Sequence, residues 1–471
     1  MNILYRWLPV VGVAGGMLLA GPPEGLTERG WLVATVFAAT IVGFLSRPLA
    51  MGPLVLVALV TLLGAGAFGR GQVAIEGLLA GFADDTVWLV VAAFLLSGVV
   101  IRTGFGRRIA LVLIRAWGGT ALGLGYAVAG SELILGPLIP SNTARGGGVM
   151  FPIVRALALA LGAAPDGQRR RTGGYLVLCG SHANLVSSAI FFTGMAANPQ
   201  LGVFAEEVFG VRWDWTTWLL GSCVPGLVSI GFLPLLLYAI HRPELTHCTA
   251  ARAEADAELR AMGPWNARQI AVGSVLAAMV AAWATERLHG VQAAGVALMG
   301  LAAIVVLAVD RWEHIVADGP AWDSLFWLGG LVAMAKLLKA EGVIAWFAGV
   351  MEQQVEGFAG VSAAIVLALI YFVSMYGFSM LTGHIAAMAL TFLVVARAAE
   401  CPPLLVVALI SYFSTLCGCL TNYSTGQVVI YFGLGYLSTP RWFAVGLAVG
   451  VFHLAVWLGL GLPYWKLLGW W

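Results

Sequence analysis

The stretch P-S-N-T-A-R-G-G-G-V-M-F-P, residues 140–152, places a polar break inside a long apolar region. Residues 122–139 are apolar enough to enter a bilayer, but Pro140 cannot continue a helix. Ser141, Asn142 and Thr143 are good N-cap residues, so a new half-helix can start here. The pattern predicts a re-entrant hairpin, because irregular backbone at membrane depth is tolerated only where it is buried in protein or lines a cavity.

The tip of this hairpin has features that favour an anion. The N-terminus of a half-helix presents unpaired N–H groups and about half an elementary positive charge, which attract negative groups. Arg145 adds a full charge, and the glycines at 146–148 let a backbone or a ligand approach closely. We interpret the stretch as an anion-binding tip. The alternative is a capped turn between two ordinary helices. For Arg145 the alternatives to substrate contact are that it snorkels to the membrane surface or braces the hairpin.

Composition restricts the chain to one class of protein. It has 471 residues, of which 60% are hydrophobic and 10% charged, and its mean hydropathy is +0.92. No soluble domain of this size has that composition, so the sequence predicts an all-α polytopic membrane protein in contact with the lipid bilayer. The net charge of +2 and the lack of a basic patch with interleaved aromatics argue against nucleic acid as a partner. The six cysteines lack zinc-site spacing, so no metal site is expected.

Apolar runs close to the length of a bilayer core recur along the chain. Besides the two hairpins we predict eleven transmembrane helices, at residues 8–19, 31–45, 53–68, 87–101, 175–199, 215–240, 270–285, 291–309, 325–338, 404–415 and 443–460. The first is interpreted as a retained helix and not a signal peptide, because no convincing cleavage site follows it.

The second half of the chain repeats the order of the first. Each half has a surface helix (104–117 and 342–357), a hairpin with a polar tip, and a helix broken at a Thr-Gly pair, roughly 235 residues apart. We therefore predict an internal structural repeat. The predicted units are a first helix at 1–30, a first half at 31–241 with its hairpin at 119–162, a cytoplasmic loop at 242–267, and a second half at 268–471 with its hairpin at 361–397.

The basic residues predict an orientation. We count the spans from Arg6 and let each hairpin enter and leave the membrane on the same side. Most arginines, including Arg47 and Arg242, then fall on the same membrane face as Arg6. The positive-inside rule makes that face cytoplasmic, with the N-terminus on it. The odd number of spans then places the second hairpin opposite the first, so the repeat is inverted and the two tips meet near the midplane.

Three motifs resemble one transporter family. P-S-N-T-A-R-G-G-G at 140–148, T-G-M-A-A-N-P at 193–199, and L-T-N-Y-S-T-G at 420–426 followed by F-G-L-G-Y at 432–436 are similar to the divalent anion:sodium symporter (DASS) family. Within it they look most like the branch of citrate/succinate and tartrate/succinate antiporters and plastid 2-oxoglutarate/malate translocators. The resemblance runs along nearly the full chain, and it implies a homodimer with a scaffold domain and an elevator-type transport domain in each protomer.

Polar residues at the tips and at the helix breaks are the candidate substrate-binding residues. They are Ser141, Asn142, Thr143, Arg145, Thr193, Gly194, Asn198, Thr382, Gly383, His384, Asn422, Ser424, Thr425 and Gly426. Each has a structural alternative, because membrane asparagines often bond neighbouring helices and a histidine such as His384 is as often packed as ligating. Glu132, His182 and His453 are further candidates, since ionisable groups inside the membrane are costly, but the sequence names no partner for them.

Together with the resemblance, these residues predict a secondary transporter of the bacterial inner membrane. The resemblance implies exchange of small organic anions, namely di- or tricarboxylates of the citrate, succinate, tartrate, malate or 2-oxoglutarate type. Two alternatives stay open: a sodium-coupled dicarboxylate symporter of the same fold, and the membrane subunit of a binding-protein-dependent dicarboxylate system. An enzyme is not expected, because phosphate-loop, H-E-x-x-H and G-x-S-x-G motifs are missing. A channel is not expected either, because it would need a continuous polar pore face, whereas the polar residues of this chain gather at the broken helices.

One departure from the family pattern bears on sodium. Sodium-coupled members carry a second S-N-T in the second hairpin, whereas this chain has Thr382-Gly383-His384 there. The change removes an amide oxygen and adds an imidazole, which would repel a cation and attract a carboxylate when protonated. We therefore expect exchange without sodium and without any cofactor, although sodium remains an alternative.

Overall fold

The structure is a computed structural model that describes residues 3–354 and 357–471. Its regular elements are helices. The first eleven are α1 Ile3–Ala20, α2 Glu28–Ser46, α3 Met51–Gly64, α4 Gln72–Leu79, α5 Asp85–Arg102, α6 Phe105–Trp117, α7 Ala121–Leu135, α8 Phe151–Ala160, α9 Arg170–Ile190, α10 Asn198–Phe209 and α11 Trp215–Ile240. The helices of the centre are α12 Thr249–Ala261, α13 Ala267–Ala284, α14 Glu286–His289, α15 Ala293–Val306, α16 Trp312–Val316, α17 Gly319–Ala340 and α18 Val343–Gln354. The last are α19 Gly360–Ser374, α20 Leu381–His384, α21 Leu390–Ala398, α22 Pro403–Leu416, α23 Gly426–Phe432, α24 Thr439–Gly459 and α25 Gly461–Leu467.

The all-helical, multi-pass architecture predicted from composition is confirmed. Within the described residues, nine helical stretches are long and apolar enough to cross a membrane, and several others, such as α3 and α15, are apolar but shorter. Two of the nine, Gly360–Gly377 and Leu381–Ala398, are the arms of the second hairpin. The helix predicted at 342–357 is α18, and residues 355 and 356 of that prediction lie outside the described residues.

The first hairpin is built from α7 and α8. Thr120 caps α7 by accepting a hydrogen bond from the N–H of Gly123 at 3.0 Å. The chain is irregular around the two prolines, and the hydroxyl of Ser141 then accepts from the N–H of Ala144 at 3.1 Å, as expected of a helix start. The second arm begins with a π-helical turn, Ala144–Met150, before α8.

The second hairpin repeats this design. After α19 and a 3₁₀ turn at Met375–Gly377, the chain enters α20, which passes into a π-helical turn at Ile385–Ala389 and then into α21. In both hairpins the π-helical turn follows directly behind the polar tip. Such turns are rare and are frequent at functional sites.

Each half also has a broken helix at the predicted position. The helix α9 ends at Ile190, and a 3₁₀ turn at Phe192–Gly194 separates it from α10. In the second half α22 leads into a 3₁₀ turn at Cys417–Leu420, and α23 begins at Gly426. The breaks leave backbone N–H and C=O groups without helical partners in the protein interior, where other groups must satisfy them.

The predicted surface helix α6 is held by a buried arginine. Arg108 is only 4% exposed and donates hydrogen bonds to the carbonyls of Gly263 and Met262, at 2.8 and 3.0 Å. These carbonyls follow the C-terminal end of α12, where a positive charge is favourable. The polar loop predicted at 242–267 therefore contains a helix, α12, that packs against α6.

The helices pack into two groups. In one, α17 lies against α3 and α5, α5 packs on α15, and α2 packs on α3. In the other, α9 lies against α7, α11 and α22, and α24 packs on α11. Both hairpins belong to the second group.

Candidate substrate site between the hairpin tips

A cavity of about 400 Å³ lies where the two groups of helices face each other. One wall is formed by the tip of the first hairpin, with Ser141, Asn142 and Thr143, and by the tip of the second, with Thr382 and Gly383. The volume falls in the range of small-molecule sites, roughly 300–1,000 Å³. The structure thus brings together two polar tips that are far apart in the sequence.

The opposite wall comes from the other group of helices. Its charged members are Arg47, which follows α2, and Asp323 on α17; Phe94 and Trp327 supply apolar surface. The sequence interpretation assigned Arg47 only to one membrane face. Its place in the cavity could not be read from the sequence, because Arg47 lies in a short connection and no local motif marks it.

Asn142 and Thr143 connect the first tip to the second broken helix. The amide of Asn142 donates to the hydroxyl of Thr425 at 3.4 Å, and its side-chain oxygen accepts from the N–H of Thr143 at 2.9 Å. The Thr143 and Thr425 hydroxyls are also 3.4 Å apart. Gly426 permits this approach, since a Cβ there would lie 2.7 Å from the methyl carbon of Thr143. The tip is therefore held in place before any ligand binds.

Arg145 does not line the cavity; it is fully buried behind the tip. Its Nε donates to the carboxylate of Glu132 on α7 at 2.7 Å, and both side chains are 0% exposed. The other N–H groups donate to the carbonyls of Ile139, Gly194 and Asn184 and to the hydroxyls of Ser187 and Ser188. This matches the alternative in which the arginine braces the hairpin. Glu132 thereby gains the partner that the sequence did not name.

The polar residues at the first break also support the site from behind. Thr193 donates to the carbonyl of Pro137 at 3.2 Å, which ties the break to the first hairpin. Asn198 donates to the carbonyl of Ser188, in the last turn of α9, at 2.8 Å. It also donates at 3.1 Å to the carbonyl of Phe191, which accepts from the N–H of Gly194 as well. The cavity lining from this break consists instead of the next residues along the chain, Met195 and Ala196.

His384 is packed and does not face the cavity. Its ring is 0% exposed and lies beside Tyr371, with centroids 4.3 Å apart, and Phe378, at 4.9 Å. Its Nε2 is 2.7 Å from the hydroxyl of Ser374. A protonated His384 imidazole would therefore not contact a cation in the cavity directly. Of the predicted residues of this tip, Thr382 and Gly383 line the cavity, together with Ser379 and Met380 just before them.

The remaining candidates join the second break to the second tip. The carbonyl of Ser424 accepts from the N–H of Leu381 at 2.8 Å, and its hydroxyl donates to the carbonyl of Gly418 at 2.7 Å. Asn422, Thr425 and Gly426 lie in the same break but do not line the cavity. Each tip is thus supported by groups from a broken helix, as Asn184 of α9 also shows by donating to the carbonyl of Asn142 at 3.1 Å.

Comparison with known proteins identifies the family. A protein-family model, described as the sodium:sulfate symporter transmembrane region, matches residues 2–471 of this chain. The chain belongs to the divalent anion:sodium symporter family. This DASS-family protein is 38% identical over 466 residues to the putative malate transporter YflS of Bacillus subtilis (strain 168), covering 98% of this chain and 96% of the relative.

Two further relatives belong to the branch expected from the motifs. Dicarboxylate transporter 1, chloroplastic, of Spinacia oleracea is 35% identical over 453 residues, which cover 95% of this chain and 79% of the relative. The citrate/succinate antiporter of Escherichia coli (strain K12) is 32% identical over 475 residues, covering 98% and 97%. The resemblance proposed from the sequence is confirmed, and this DASS-family protein is a transporter and not an enzyme.

A solved structure shares the fold at low sequence identity. MtrF of Neisseria gonorrhoeae, described with a class of antimetabolite efflux pumps, has a TM-score of 0.55 and 12% identity, and the match covers 95% of this chain and 96% of that one. At this identity the likeness concerns the fold alone.

Proposed function

We propose that this protein exchanges di- or tricarboxylates of the citrate, succinate, tartrate, malate or 2-oxoglutarate type across the bacterial inner membrane. The observation that carries the proposal is the cavity between the two hairpin tips. Hydroxyl and amide groups at 141–143 and at Thr382, two half-helix starts, and the guanidinium of Arg47 all belong to its lining. Such groups bind carboxylates, because each donates hydrogen bonds or adds positive potential.

The names of the relatives support the class of substrate. One is a malate transporter, one a dicarboxylate transporter and one a citrate/succinate antiporter. Counterflow into proteoliposomes that contain the purified protein, with a panel of unlabelled acids outside, tests the proposal directly. Failure of every carboxylate in the panel to compete would refute it, and activity of the purified protein alone would rule out the need for a binding-protein partner.

We further propose an elevator mechanism in a homodimer, as the family resemblance implies. The group that contains α9, α11, α22 and both hairpins would move as one body, carrying the tips past the group that contains α3, α5 and α17. The helix α10 packs on α21 and α22 of the moving group. One contact across the boundary is the ion pair between Lys339 of α17 and Glu207 of α10, with an N–O distance of 3.0 Å. It would have to separate as the body moves.

Transport is expected to be exchange that does not require sodium. Arg145 adds no net charge because it is paired with Glu132. An empty carrier would still present the polar side chains and the positive dipole ends of two helix starts to a less polar surrounding. A bound dicarboxylate satisfies these groups, and the loaded carrier therefore crosses more readily than the empty one. The measurement is uptake of labelled substrate into vesicles loaded with buffer or with unlabelled substrate, each with and without a sodium gradient.

We expect uptake only into substrate-loaded vesicles, with the same rate at either sodium concentration. Robust sodium-stimulated uptake into buffer-loaded vesicles would instead favour the sodium-coupled symporter, which keeps the proposed site but changes the coupling. Vesicles without protein, loaded in the same two ways, are the control for leakage.

The proposed topology has a cytoplasmic N-terminus and an inverted repeat. In it, α12 lies on the cytoplasmic side and the C-terminal end of α18 on the opposite side. Cysteines introduced as Ala257→Cys and Glu352→Cys, in a background with the partly exposed Cys223 changed to serine, should react with a membrane-impermeant reagent from opposite sides. In intact cells we expect labelling of Glu352→Cys alone. Labelling of both positions from outside would contradict the inverted arrangement.

A further inference from the structure

A second cavity, of about 660 Å³, has a strongly basic lining. It lies where α9 begins, α11 ends and the chain enters α24. Four arginines contribute to it: Arg170 and Arg171 from α9, Arg242 from the residues after α11, and Arg441 from the first turn of α24. None of these elements contributes to the lining of the cavity between the hairpin tips, so the two sites are distinct.

The four arginines have no carboxylate partner within 4.0 Å among residues 3–354 and 357–471. Two of them are held by the backbone instead: Arg170 donates to the carbonyl of Tyr436 at 2.9 Å, and Arg441 donates to the carbonyl of Ile240. These contacts fix the side chains without neutralising them. The cluster therefore keeps its positive charge.

A carboxylate does lie nearby, but it serves another purpose. Glu244 accepts hydrogen bonds from the backbone N–H groups of Arg171 and Thr172, at 2.9 and 2.7 Å, and from the Thr172 hydroxyl at 3.0 Å. It thus acts as a cap for the first turn of α9. One negative charge against four positive ones leaves a net positive site.

A buried histidine belongs to the same lining. His241, which follows the last residue of α11, is 9% exposed, and its Nε2 has no hydrogen-bond partner among the described residues. Burial lowers the pKa of His241 to about 4, and the charges of Arg441 and Arg171 act in the same direction. The imidazole therefore stays neutral at physiological pH, and the cavity contains an unsatisfied polar atom.

The lining also has apolar residues, and on α11 they continue onto the outer face of the helix. Ala239 lines the cavity, and Leu235 and Phe232 lie four and seven residues before it, on the same face of the helix. Their exposed fractions are 42% and 57%. An apolar strip therefore extends for about 10 Å from the basic cavity along the helix axis. A small soluble anion would not need such a strip, whereas an acyl chain would cover it.

We propose that this cavity binds the phosphate headgroup of an anionic phospholipid, with an acyl chain along the apolar face of α11. Basic pockets between transmembrane helices, next to the membrane surface, suit such headgroups. The lipid would connect the ends of α9, α11 and α24, and its loss would weaken their packing. The proposal does not depend on which substrate the protein carries.

The test compares lipid binding by matched variants of the full-length protein. Arg171→Gln combined with Arg242→Gln removes two charges from the cavity. Arg252→Gln combined with Arg260→Gln removes two charges from exposed positions on α12, and it is the control. Binding of phosphatidylglycerol, phosphatidylcholine and inorganic phosphate to the delipidated protein is measured by native mass spectrometry and by the shift in melting temperature.

We expect phosphatidylglycerol to bind the unaltered protein and the control more tightly than phosphatidylcholine does. In the cavity variant its affinity should fall by roughly 30-fold, since each arginine near the membrane surface contributes about fivefold. If that variant is not monodisperse, Arg242→Gln alone should show about a fivefold loss. Equal losses in cavity and control variants would overturn the proposal. So would equal binding of both lipids, or a melting shift with inorganic phosphate that matches the shift with phosphatidylglycerol.

Discussion

Replacement of Asn142 by aspartate is expected to abolish carboxylate transport while the protein still folds. The side-chain oxygen that accepts from the N–H of Thr143 is retained, and a carboxylate is favourable at a helix start. The change nevertheless places a negative charge in the lining of the cavity, beside the position proposed for a substrate carboxylate. Folding is therefore preserved while binding is opposed.

The expected effect of this charge is large. Two like charges about 4 Å apart repel by about 4 kcal/mol at an effective dielectric constant of about 20, which corresponds to roughly a thousandfold weaker binding. The measurement is the initial rate of exchange in proteoliposomes at several substrate concentrations. Thermal melting and size-exclusion chromatography of the same preparation report on folding.

Asn266→Asp is a matched control, because it makes the same chemical change at another helix start. Asn266 caps α13 by accepting from the N–H of Gln269 at 2.9 Å, and aspartate is an equally good cap. It lies outside the cavity lining, so its exchange rate should be unchanged. Normal exchange by Asn142→Asp would remove the first hairpin tip from the substrate site.

The second large effect is expected on stability, from the buried pair of Glu132 and Arg145. Glu132→Gln leaves the guanidinium charged and buried without its counter-ion, which should lower the free energy of unfolding by about 3–5 kcal/mol. The pair connects α7 to the second arm of the first hairpin. Its loss should therefore also loosen the tip that carries Asn142.

A double-mutant cycle distinguishes this ion pair from two independent contributions. In Glu132→Gln/Arg145→Gln both charges are removed, so stability should recover part of the loss seen in either single variant. Denaturant unfolding in detergent provides the measurement. Glu254→Gln on α12, whose carboxylate is in no ion pair among the described residues, is the control for loss of a negative charge. Strictly additive losses in the double variant would contradict the pairing.

Features set by local chemistry were predicted from the sequence at the right places. Pro140 ends the first apolar run, Ser141 caps the next helix, and the Thr-Gly pairs at 193–194 and 425–426 mark the two breaks. These predictions succeeded because proline geometry, capping and glycine freedom act over a few residues. Composition was enough to predict the class of protein for a similar reason, because the hydrophobic and charged fractions do not depend on which residues are in contact.

The roles of individual charges depended on contacts between distant residues. Arg145 and Glu132 are 13 residues apart, but the irregular stretch between them reverses the chain, so helical periodicity could not pair them. Arg47 reaches the candidate cavity from the other group of helices.

The sequence by itself determined that this is a multi-pass membrane protein with two polar-tipped hairpins and two broken helices. In a membrane, a break in an apolar helix needs proline, glycine or polar residues at the break itself, so the local sequence shows it. Only the tertiary structure decided which polar residues line the cavity and which support it. Asn142 and Thr382 line it, whereas Arg145 and His384 lie behind it, enclosed by their partners. The physical reason is that a buried polar group loses its contacts with water, and a hydrogen-bond or ion-pair partner must offset this cost. The fold brings that partner near from a distant part of the sequence.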